Sequence, residues 1–166
     1  MSKEVIKVIL DIIKTEMDLD DERILIYNQK WILPNTDDIF VYLNYVSEDI
    51  IANNTYYEDR VGGFYEVQTL NKRDVIGINI FSRNNTARTR KDEILMALTS
   101  TYAQQQSEKY SIKIAEIPMA FNDVSSVEAA AMLNRYNANI GVFSSIVKEK
   151  VVDYYTTFSK ESYRSL

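Results

Sequence analysis

Arg73-Asp74-Val75-Ile76-Gly77-Ile78-Asn79-Ile80-Phe81-Ser82 alternates with a period of two, placing Ile76, Ile78 and Ile80 on one side of a strand and Val75, Gly77, Asn79 and Phe81 on the other. Directly after it, Arg83-Asn84-Asn85-Thr86 supplies capping residues, and a helix is predicted from there to about Ala103. Its apolar side is Ile94, Leu95, Leu98 and Tyr102, with Arg88, Lys91 and Asp92 outward, and Gln104-Gln105-Gln106-Ser107 is polar enough to end it. A strand of this kind feeding a helix sets the class, and the rest of the chain is read outward from it.

Upstream, 64–69 reads as a second strand, joined to 73–82 by a turn at Leu70-Asn71-Lys72. The stretch 53–63 carries turn formers at both ends and reads as a long hairpin tip or a flexible excursion. Ile39-Phe40-Val41-Tyr42-Leu43-Asn44-Tyr45-Val46 is dense in β-branched and aromatic residues and reads as a strand buried on both faces. Before it lie a short apolar run, Ile24-Leu25-Ile26-Tyr27, and an acidic turn, Asp18-Leu19-Asp20-Asp21-Glu22. From 3 to 18 the polar residues Glu4, Lys7, Asp11, Lys14 and Asp18 recur at helical steps, leaving Val5, Ile6, Val8, Ile9, Ile12, Ile13 and Met17 as a wide apolar face.

Downstream, 111–117 alternates and stops at Pro118, which marks a sheet edge. Phe121-Asn122-Asp123-Val124-Ser125 reads as an ordered loop and 126–133 as the start of a helical turn. From 134 to 147 the strand pattern returns, with Ile140, Val142, Ser144 and Ile146 on one face, and 151–158 adds an aromatic strand or arm. The order predicts an α+β fold, an antiparallel β-sheet flanked by two long α-helices. It spans 1–166 as a single domain, with a flexible excursion at 53–63 and a C-terminal arm at 150–166.

A chain of 166 residues has one core as its default. It contains no His and no Cys, which removes the usual general base, thiol nucleophiles, disulfides and zinc-thiolate sites. Only Gly62 and Gly63 are adjacent, so no phosphate-cradling or dinucleotide loop can be written, and no cofactor is expected. The paired acids Asp37 with Asp38, Glu58 with Asp59, Asp92 with Glu93 and Asp123 with Glu128 fall mainly in turns or on a helix face, where solvated carboxylates are ordinary, and no metal site is expected. A net charge of -5 argues against a basic DNA-gripping face but allows loose passage of DNA. The first residues fit neither a signal peptide nor a membrane span, and no membrane partner is expected.

Arg83, Arg88, Arg90 and Lys91 concentrate positive charge around a helix start, where the dipole favours anions, so acidic groups of this fold or of a neighbouring subunit are expected there ahead of nucleic-acid phosphate. The 12 tyrosines cluster in Tyr42, Tyr45, Tyr56, Tyr57 and Tyr65 and in Tyr154 and Tyr155. With little interleaved Arg or Lys they suit a protein interface better than a platform for bases. Candidate interface residues are therefore Arg83, Arg88, Arg90, Lys91, Tyr56, Tyr57, Tyr154 and Tyr155.

The strand 74–82, the helix start Asn85-Thr86-Ala87-Arg88-Thr89-Arg90-Lys91-Asp92-Glu93-Ile94, the loop Phe121-Asn122-Asp123-Val124-Ser125 and the strand start Asn134-Arg135-Tyr136 follow in an order that resembles the neck or tail-terminator (head-tail joining) proteins of tailed bacteriophages, over roughly 68–146. The resemblance implies a structural subunit, not an enzyme, that forms a homo-oligomeric ring, commonly a hexamer. Such a ring lies between the head-side connector and the tail tube protein, ends tube polymerisation, joins tail to head and lets double-stranded DNA pass. The implied location is the virion neck, assembled in the host cytoplasm. Two other classes stay open at this point: a small carboxylate and metal-dependent enzyme acting on nucleic acid, and an intracellular protein-binding adaptor domain.

Overall fold

The wide apolar face near the N-terminus folds as α1 (Val5–Glu16), which buries Val5, Ile6, Val8, Ile9, Ile12 and Ile13. The structure is a computed structural model and describes residues 4–26, 36–128 and 131–153. One helix can bury that many side chains only by touching two layers. On one side α1 meets α2 (Thr86–Thr99) and α3 (Thr101–Tyr110), and on the other it meets strands β1 (Ile24–Ile26) and β2 (Phe40–Arg60).

The sheet is completed by β3 (Gly63–Ser82), β4 (Ile112–Glu116), β5 (Asn122–Asp123), β6 (Ser126–Glu128) and β7 (Ala131–Val152), in the order β1-β2-β3-β7-β4, with β5 and β6 also paired to β7. It is a mixed sheet, not the antiparallel one expected, because β1 runs parallel to β2, with Ile24 opposite Val41. Thirteen residues separate the two strands, enough for the crossover that parallel neighbours need. The core lies between the helices and one sheet face. That face is built from Val41 and Leu43 of β2, Ile76, Ile78 and Ile80 of β3, and Ala138, Ile140 and Val142 of β7.

The helices are also not the two long ones expected, but three of 12, 14 and 10 residues. The break falls at Ser100, whose extended backbone (ψ 162°) interrupts the helix and whose hydroxyl accepts the Ala103 N–H at 3.0 Å. Serine is a strong N-cap, so the chain restarts there and runs through Gln104-Gln105-Gln106-Ser107 instead of ending at them. Replacing Ser100 by Ala is expected to cost about 1 kcal/mol in urea-induced unfolding, with faster exchange at the Ala103 amide. At the other end of α2, of the Asn and Thr residues expected to cap, Asn84 does so, joined by Ser82. Ala87 N–H donates to the Ser82 hydroxyl at 2.9 Å and Thr86 N–H to Asn84 Oδ1 at 2.8 Å.

No turn exists at Leu70-Asn71-Lys72, and the two short strands expected there are one strand of 20 residues. Leu70 faces Asn53 on one side and Ile146 on the other, and Lys72 faces Ile50 and Ser144. A turn would forfeit ladder bonds on both sides, and the triplet has no glycine or proline to favour one. The chain reverses instead at Val61 and Gly62, where Gly62 (φ 108°) and Gly63 (φ 139°) adopt angles that side chains resist. The strand expected at 39–46 likewise continues to Arg60 and is buried only at its start, since Val46 is 52% exposed. The helical turn expected at 126–133 is a strand pairing, Ser126 opposite Leu133. Most of 151–158 lies outside the described residues.

Candidate interaction surfaces

Three strands of 20 to 22 residues are far longer than the helices can cover. Beyond the body, 52–60, 63–71 and 145–152 continue as a three-stranded arm of about 30 Å, at roughly 3.3 Å per residue. Only Val67 in it is buried. Within the arm, Tyr57 stacks on Phe64 (centroids 5.7 Å apart) on the helix-side face. On the opposite face Arg60 spans Glu58 and Glu149 (3.1 Å) above the Tyr65 ring. Ile146, Val147 and Val151 remain exposed, as do Ile50 and Ile51 at its root.

Where arm meets body, Lys72 reaches the fully buried Asp74 at 3.1 Å and Glu48 at 3.5 Å. Burial opposes the Lys72 charge, but the pull of Asp74, reinforced by Glu48, outweighs it and holds the ammonium pKa above the ordinary lysine value. Beside this pair an open cleft of about 490 Å³ runs between the start of α1, the end of α3 and the sheet, lined by Glu4, Tyr45, Glu48, Lys109 and Ile146 among others. Tyr45 accepts the Ile6 N–H at 3.4 Å, and burial is the main cause of its raised pKa.

The sheet face away from the helices sets a polar cluster beside the stacked, buried rings of Phe40 and Phe81. Asn79 donates to Asn44 at 3.1 Å, and Arg135 lies over the Tyr42 ring (5.7 Å) while donating to its hydroxyl and to Asn79. Further along this face Arg73, on the central strand β3, binds Glu116 of β4 through two nitrogens and also Asp49 of β2 at 3.3 Å. Gly141 makes this possible, since a Cβ there would stand 2.6 Å from Glu116 Oε2. Hydrogen bonding from Arg73 holds the Glu116 carboxyl below the usual glutamate range. A lowered pKa means that the clamp is present above the ordinary carboxylate range and is lost as pH falls through the Glu116 pKa. An NMR titration is expected to show Glu116 titrating below a free glutamate, and Arg73→Ala to return it to the ordinary range.

The expected site residues lie on different parts of this structure. Arg88 is exposed on α2 and attracts Asp123, whose pKa is lowered mainly by hydrogen bonds from Ser125. Arg90 is engaged within the chain, with Glu93 at 2.7 Å and the Met17 carbonyl at 3.1 Å, which ties α2 to the end of α1. Lys91 meets Asp92 at 2.7 Å and lies 6.0 Å from the Tyr136 ring centroid, and Arg83 is exposed just after β3. Tyr56 and Tyr57 stand on opposite faces of the arm, away from the α2 cluster, and Tyr154 and Tyr155 lie outside the described residues. Of the paired acids, Asp38 meets Arg23 at 3.3 Å and Glu58 meets Arg60. Among the described residues no three or more acidic groups come together as metal ligands.

Sequence reasoning missed the exposed apolar residues of β7 and the Arg135 cluster. The available signal was the length of the uninterrupted β pattern, 134–152 without proline, beyond what a body of this size covers.

No helix among the described residues is long and apolar enough to cross a membrane. No protein-family model and no curated protein sequence matches the chain. Among solved structures, the chain is similar to the sheath/tube terminator of an extracellular contractile injection system (PVC) in its extended state, at 13% identity and a TM-score of 0.42, over 99% of this chain and 67% of that one.

Proposed function

We propose that this chain is a structural subunit of a tail neck, a terminator that closes as a ring of about six copies on the head-proximal end of a tail tube. The ring ends tube growth, docks to a head-side connector and leaves an axial passage for double-stranded DNA. The observation that carries this reading is the arm: three strands leave the helix-covered body with most of their outer-strand side chains exposed and, among the described residues, no further strand on either edge, an investment in contact surface. The order of motifs along 68–146 agrees with it, and an acidic chain suits a channel that DNA slides through without being held.

On this reading the chain has no catalytic role, acts in the virion and is assembled in the host cytoplasm. Arg83, Arg88, Tyr56, Tyr57, Tyr154 and Tyr155 serve subunit or partner contacts. Solution mass measurement with negative-stain imaging tests it. Rings that cap purified tail tubes are the expected result, and a chain that stays monomeric and leaves tube length unchanged overturns the reading.

A further inference from the structure

We propose that the arm builds the ring: the β2 edge of one copy pairs with the β7 edge of the next, joining arms side by side. This rests on the ring reading above and names the surface that forms it. β1 pairs with β2 only from Val41 to Leu43, and β4 reaches along β7 only to Ser144. Along 47–60 of β2 and 145–152 of β7, the outward backbone groups have no ladder partner among the described residues. Monomeric proteins blunt such edges with proline, cover or inward charge. Here they carry no proline, and exposed Ile50, Ile51, Ile146, Val147 and Val151 lie along them.

Charge selects which edge meets which. The β2 edge holds Glu48, Asp49, Glu58 and Asp59 against Arg60, while the β7 edge holds Lys148 and Lys150 against Glu149. Pairing β2 with β2 would oppose acid to acid, whereas β2 with β7 is attractive. Two different edges also make a head-to-tail contact, the kind that closes into a ring by rotation.

Asp59 and Lys148 fit this contact. Both are exposed, neither has an ion-pair partner among the described residues, and they point to the same face from opposite edges. Lys148 lies level with Thr55, four residues from Asp59 along β2. Bringing the two together between copies needs a stagger of about 13 Å over an arm about 14 Å wide. That is a strand tilt of about 43°, within the range at which strands run in closed sheets.

The test uses the full chain with Asp59→Lys, Lys148→Asp and the two combined. Each single reversal is expected to raise the concentration for half-assembly about tenfold with unchanged thermal unfolding, and the combined swap to restore it within about threefold. Because the chain has no cysteine, D59C/K148C supplies the only thiols. Within one copy they lie two strands apart, beyond the roughly 7 Å that a disulfide spans, so oxidation is expected to give chains linked to one another.

Wild-type rings with both reversals silent and no linkage overturn this contact while leaving the ring reading intact. The same holds if assembly is lost only on deleting 154–166, which assigns the contact to that segment. A wild-type monomer overturns both.

Discussion

Lys72→Ala is expected to lower unfolding free energy by about 3 kcal/mol, because it leaves the Asp74 carboxylate charged and buried without its counter-ion. Apart from Lys72, neither Asp74 oxygen has a hydrogen-bond partner among the described residues. Adding Asp74→Val to Lys72→Ala is expected to recover most of the loss, since an apolar side chain needs no counter-charge beside Val142 and Ser144. The raised Lys72 pKa fixes the pH course. The pair's contribution is full below the ordinary lysine range and is lost only as pH rises through the Lys72 value. Urea unfolding of the single and double variants at neutral pH measures both, and a single-variant loss under about 1 kcal/mol would show that Asp74 is not dependent on its lysine.

Ile78→Ala is expected to cost about 3–4 kcal/mol, while the same truncation at Ile146 changes monomer stability by less than about 0.5 kcal/mol. Ile78 is fully buried between Leu43 and Ala138, in the middle of the face that the helices cover. Its neighbour on β7, Ala138, is already the smallest apolar side chain and cannot swing in to fill the space. Ile146 is 51% exposed on the arm and loses little contact within one copy. Equal losses at the two positions in chemical denaturation would contradict the division of the sheet into a covered body and an open arm.

The helix-covered body was legible because its periods are clean. The spacing of Ile6, Ile9 and Ile13 and the alternation of Ile76, Ile78 and Ile80 each have one solution. Ser100 was readable as a cap yet was passed over, because the apolar pattern continues to Tyr102 and a one-residue break leaves the period nearly unchanged. Leu70-Asn71-Lys72 misled because polar residues resemble a turn when the strands on either side of them are not yet known. Of the candidate surface, Tyr56 and Tyr57 stood out by type, whereas Lys148 and Ile146 carry no local signal and gain meaning only from which strand edge they occupy.

The unbroken course of β3 from Gly63 to Ser82 has a mechanical consequence. The strand links the arm tip to the centre of the core, with neighbours bonded on both sides along its length. A pull applied at Gly63 along the strand axis therefore loads the two ladders in shear, many bonds at once, whereas a sideways pull at the tip peels them one after another. The chain is stiff along its arm and compliant across it, and thrust along that axis reaches the seat of α1 and α2 along one unbroken strand.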